Sequence, residues 1–124
     1  MAKIAALTEN QEQIALVKLL DAAGLCFFHV PNSSGRGGIA AARYGHHLKR
    51  MGRKPGVPDV IILNPPPLFK GKVGTTIEMK RVGGIVSDAQ MAWMDDFDRL
   101  GWITLVTYGC GDAVEELREL GYVI

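Results

Sequence analysis

Residues 56–90, GVPDVIILNPPPLFKGKVGTTIEMKRVGGIVSDAQ, decide the fold of this chain. VIIL, residues 60–63, is a β-branched run of strand length opened by Asp59, and TTIEMKR, residues 75–81, is a second one. The turn-rich NPPPLFKGK stretch between them suits a hairpin-like connection. Side chains alternate faces along a strand, so Glu78 and Lys80 project together to one side while Ile77 and Met79 project to the other. Pairing the two strands brings Asp59 and Glu78 together. Two carboxylates that converge repel unless a cation holds them, and oxygen-only ligation of this kind favours a hard ion, Mg²⁺ or Mn²⁺. A lysine beside them completes a hydrolytic site; the purely structural reading of the same trio is a salt-bridged pair of strands.

Downstream, Ser87 and Gln90 have capping-box spacing and open a helix over 87–100. WITLVTY, residues 102–108, reads as an apolar strand, and Asp112 with Glu115 caps a last helix ending near Gly121. Upstream, Thr8 and Gln11 form a capping box for a helix over 8–23 that Gly24 stops. Leu16, Val17 and Leu20 make its apolar stripe. Glu9 and Gln13 fall on that stripe and are expected to point toward the sheet, with Glu12 at its edge; a first-turn glutamate also complements the helix dipole. LCFFHV, residues 25–30, reads as the first strand. The Asn-Ser-Ser-Gly-Arg-Gly-Gly loop after it fits around a phosphate backbone, but no Gly-Lys-Ser/Thr follows, so it is not a Walker loop. IAAARYGHHLKRMG is helical, with Arg43, His46, His47 and Arg50 on accessible turns. Adjacent helical residues point about 100° apart, so His46 and His47 do not share one ion. Helix, strand, helix, strand, strand, helix, strand, helix predicts an α/β domain with a mixed sheet flanked by helices.

With 124 residues, 48% hydrophobic and 22% charged, the chain is expected to form one domain over residues 1–124. No apolar run approaches the roughly 20 residues of a membrane span and no signal-peptide core is present, which predicts a cytoplasmic protein, in the host cell's cytoplasm if the source is a virus. Cys26 and Cys110 lie in apolar runs and read as buried structural thiols. The net charge of +1 conceals a strong asymmetry. Ten of the fourteen basic residues lie between Arg36 and Arg81, where Asp59 and Glu78 are the sole acids; from Asp88 onward eight acids face two arginines. Basic surroundings for two carboxylates suit a polyanion that must approach a metal. Arg36, Arg43, Lys49, Arg50, Arg53 and Lys54 are the candidate nucleic-acid contacts.

PD, a variable spacer and ExK form the signature of the PD-(D/E)xK nuclease superfamily. The ordered set TENQEQ, VPNSSGR, AAR, GVPDVIIL, IEMKR, SDAQ followed by Trp93, and a late Gly-Cys-Gly-Asp-Ala run resembles more closely a stand-alone virus-type replication-repair nuclease domain, VRR-NUC, over nearly the whole chain. The resemblance implies a restriction-endonuclease-like fold. It implies Mg²⁺ or Mn²⁺ bound by Asp59, Glu78 and the backbone carbonyl of Met79, with Lys80 positioning the attacking water or stabilising charge on the phosphate. It adds a helix-one glutamate to the metal site, a role that the E-x-x-x-Q spacing gives to Glu9, with Glu12 as second choice. It turns Gln90 toward the active site, beside the capping role already read. For the minimal members it implies homodimeric Holliday (four-way) junction resolvases. A flap or nicking nuclease is the alternative substrate reading, and a non-catalytic DNA-binding module is the alternative of another class.

Overall fold

A computed structural model describes residues 6–31 and 38–124. The elements run α1 (Glu9–Ala22), β1 (Phe27–His29), α2 (Ile39–Arg50), β2 (Val60–Ile62), β3 (Thr75–Lys80), α3 (Asp88–Arg99), β4 (Ile103–Tyr108) and α4 (Cys110–Glu119). One sheet has the order β1-β2-β3-β4, antiparallel at its first two pairings and parallel between β3 and β4. This is the mixed α/β architecture expected from the sequence. The parallel pairing follows from α3, which carries the chain back along the sheet between β3 and β4.

Alternation along the strands sorts the two faces. Val60, Ile62, Ile77 and Met79 are buried with Leu16 and Leu20 of α1 and Ala113, Val114 and Leu117 of α4. Each such side chain contributes about 1.5–3 kcal/mol by leaving water. The polar groups admitted to this core are paired. Thr75 Oγ1 and the Tyr122 hydroxyl lie 2.8 Å apart, the same hydroxyl donates to the Asn64 carbonyl at 2.6 Å, and Thr107 Oγ1 donates to Met79 Sδ at 3.3 Å. The opposite face carries Thr76, Glu78 and Lys80, with α3 packed beside β4.

Both expected capping boxes form: Gln11 N donates to Thr8 Oγ1, Gln90 N donates to Ser87 Oγ, and each glutamine side chain reaches back to its N-cap amide. Two expectations are corrected. Gly109 occupies the N-cap of α4 with no side-chain cap of its own, and Asp112 instead accepts from Tyr108 N at 2.8 Å. Cys26 is exposed and not a buried core thiol, because it precedes the outermost strand, where its N–H is held by Asn64 Oδ1 at 2.6 Å; Cys110 is partly buried.

Gly56 fixes how α3 meets the sheet. Its φ is +81°, and a Cβ there would lie 2.6 Å from the backbone carbon of Ala89 in the first turn of α3. Trp93 Nε1 donates to the Pro55 carbonyl at 2.9 Å, so the turn before Asp59 and the helix that carries Gln90 are locked together. The Trp93, Phe97 and Trp102 rings then pack at centroid distances of 6.2 and 5.4 Å, the second pair edge-on.

Candidate active site

The register sets Val60 opposite Ile77, and one step further places Asp59 opposite Glu78. Asp59 Oδ2 accepts from Met79 N at 2.7 Å, in place of the backbone bond a regular ladder would make there. Asp59 is 9% exposed and Glu78 3%, so the two carboxylates are withdrawn from water beside one another. Lys80 Nζ stands 3.7 Å from Glu78 Oε1, and Gln90 Nε2 donates to that same oxygen at 2.6 Å. Gln90 thus makes two contacts at once, its side-chain oxygen capping α3 and its nitrogen donating to Glu78.

Burial pushes the Glu78 carboxyl up to about 8, and the neighbouring Asp59 adds to the rise, against a lowering by Lys80. Glu9 raises it further, so Glu9 sits within electrostatic reach of the pair although it lies at the exposed start of α1. Glu78 Oε2 is buried without a hydrogen-bond partner. A buried carboxylate oxygen left unsatisfied is costly unless something positive meets it. A divalent ion fits that oxygen. Asp59 and Glu78 offer carboxylate oxygens side by side, donors of the kind that suit a hard cation. Among the described residues no group of three or more His, Cys, Asp or Glu is gathered closely enough to hold a metal, so Glu9 stands beside the pair and not within a closed carboxylate cage.

The other α1 residues go elsewhere. Glu12 Oε2 accepts from Cys110 N at 2.7 Å, supplying from a distant part of the chain the cap that α4 lacks locally. Gly109 lies beneath it with φ +96°, and a Cβ there would meet the Glu12 carboxylate at 3.4 Å. Gln13 reaches His29, with Nε2 2.9 Å from Nδ1, and that ring nitrogen also lies 2.8 Å from the Asp59 carbonyl. His29 thus backs the Asp59 main chain, a role that no sequence signal marked. Arg43, Lys49 and Arg50 are exposed on α2, Lys54 is exposed after it and Arg53 is partly buried; Arg36 lies outside the described residues, as does most of the loop considered for phosphate contact.

The VRR-NUC domain model matches residues 7–109. A solved structure described as a VRR_NUC domain protein superposes with a TM-score of 0.71 at 21% identity, covering 94% of this chain and 93% of that one. At that identity the likeness speaks for the fold. No curated protein matches the sequence. Among the described residues, no helix is long and apolar enough to cross a membrane.

Proposed function

Since the chain belongs to the VRR-NUC domain family, whose domain is a nuclease of the PD-(D/E)xK type, we propose that it is an Mg²⁺- or Mn²⁺-dependent endonuclease that hydrolyses phosphodiester bonds of branched DNA. The observation that supports this reading is the buried Glu78 Oε2, without a hydrogen-bond partner, on a residue set opposite Asp59 in the strand register, with Lys80 alongside. The ion would be held by Asp59, Glu78 and the Met79 carbonyl, with Glu9 next to them, and would supply Lewis-acid stabilisation of the phosphoryl oxygens. Gln90 holds one oxygen of Glu78 and so aims the other. The Lys80 ammonium, 3.7 Å from Glu78 Oε1, would orient the attacking water or meet charge developing on the phosphate. Its side chain is 15% exposed, open enough to reach substrate and buried enough to be held in place.

The exposed cations of α2 are the DNA surface in this reading. Arg43 and Arg50 are seven residues apart and share one face of the helix. An Arg43→Ala, Arg50→Ala variant is expected to weaken binding to every DNA shape and to lower the salt slope of binding by about one unit per lost phosphate contact. An unchanged slope would place α2 away from the DNA.

The substrate we propose is the four-way junction, cut by a homodimer. One metal site cuts one strand at a time, and two sites related by a twofold axis match the symmetry of a junction. None of the residues of α2 is buried, and Tyr44 and Met51 are exposed on or just after it, away from the Arg43 and Arg50 face, which leaves apolar surface open to a second copy. Cleavage of four-way junction, flap and linear duplex with Mg²⁺ and Mn²⁺, alongside sedimentation at micromolar concentration, tests the reading. A dimer that linearises a cruciform plasmid within one binding event is the expected result. A monomer that only nicks it would favour the flap or nicking alternative.

A further inference from the structure

The parallel register places Tyr108 beside Lys80 and Val106 beside Glu78, so the side chain of Tyr108 projects from the same face of the sheet as the acid and the lysine. A cleft of about 850 Å³ opens there, at the C-terminal ends of β3 and β4. That volume lies within the roughly 300–1,000 Å³ of small-ligand sites. Leu7, Val82 and Tyr108 line it with Lys80 and Arg81, and the carboxylates of Glu9 and Glu12 complete its wall on the α1 side. The apolar members are poorly covered: Leu7 is 53% exposed, Val82 89% and Tyr108 43%. An aromatic ring and two aliphatic side chains left open beside the proposed phosphate-cutting centre, with two cations at hand, suit a nucleotide. The ring and aliphatic groups take a base, and Lys80 and Arg81 take its phosphates.

We propose that this cleft receives an unpaired nucleobase next to the scissile phosphate, with Tyr108 as its stacking platform. The inference rests on the nuclease reading and narrows its substrate. In intact duplex both faces of a base are already stacked on neighbours, and only a base freed at a branch, gap or flap can lay a face on Tyr108. The cleft therefore makes cleavage depend on a base face freed from its stack, as at the opened centre of a four-way junction or at a flap, without any base-specific hydrogen bond, so selection is by structure and not by sequence.

The test uses the full chain with Ca²⁺ in place of Mg²⁺ and a DNA carrying a short unpaired segment, with 2-aminopurine set in turn on either side of the cut phosphate. Wild type is expected to quench the probe at one of these positions. Tyr108→Leu, which keeps a strand-compatible side chain but no π face, is expected to abolish the quench and weaken binding about 5- to 150-fold, the span for losing one base–aromatic stack. Tyr108→Phe and Tyr108→Trp are expected to retain both. An abasic nucleotide at the quenched position is expected to weaken wild type equally and to add nothing to the Tyr108→Leu loss. Losses that add in full, equal binding by Tyr108→Leu and wild type, or no quench at either position would overturn the proposal. Wild type that cuts no DNA with Mg²⁺ or Mn²⁺ would instead refute the nuclease reading, a failure that the binding readouts keep separate.

Discussion

Glu78→Gln is expected to lower DNA cleavage by at least about 10²–10³-fold, the scale for losing one preorganised electrostatic group at a reacting centre, and to flatten the pH dependence of stability in the metal-free protein. The amide keeps the shape and a hydrogen-bonding oxygen for Gln90, so the fold is retained while the charge that would hold the ion is gone. Glu78 carries a carboxyl raised from 4.5 to about 8 in the folded chain, by burial first and by Asp59 second. The unfolded chain releases that proton near 4.5 and the folded chain keeps it to about 8, so the stability Glu78 confers is fully present below 4.5 and is lost as pH rises toward 8. Thermal melts of the metal-free protein between pH 5 and 8 should therefore fall in wild type and stay level in Glu78→Gln. Mn²⁺ should oppose the fall, because an ion takes the place of the proton between Asp59 and Glu78. Parallel melting curves for the two proteins across that range would remove Glu78 as their source.

Lys80→Ala should cost turnover on a similar scale, about 10²–10³-fold in kcat, yet leave Mn²⁺ binding measurable by calorimetry, because it removes a positioning cation and not an oxygen donor. A second consequence separates this from simple damage. Lys80 lowers the Glu78 carboxyl, by its charge and by a hydrogen bond. Without it Glu78 holds its proton to higher pH, so the rising limb of Mn²⁺ affinity against pH moves upward. Unchanged kcat in Lys80→Ala would take the lysine out of the reaction; a rising limb displaced to lower pH would reject the electrostatic account.

The face carrying Glu78 and Lys80 was legible because strand alternation needs only two neighbouring residues, and both capping boxes were legible because each lies within four. What the sequence hid is set by contacts made across the fold. The first helix offered Glu9 and Gln13 on its inward stripe and Glu12 at the edge, and helical periodicity alone does not show that Glu12 meets the N-terminus of α4 or that Gln13 meets His29. Tyr108 looked like one more apolar strand residue. Its place beside Lys80 depends on the parallel register, which becomes visible only once β4 is aligned on β3. Cys26 was misread for a similar reason, since an apolar run does not reveal whether its strand lies at the edge of the sheet.

The hydrogen bond between Glu12 and Cys110 spans 98 positions of chain. Contacts that distant pay their loop-closure entropy last, after the local pairing of β2 and β3 has formed. During synthesis the segment that holds Asp59, Glu78 and Lys80 leaves the ribosome well before Cys110, and Glu9 remains on a helix whose anchor has yet to be made. Glu9 is thus expected to settle beside Asp59 and Glu78 last, once the two distant segments of the chain have met.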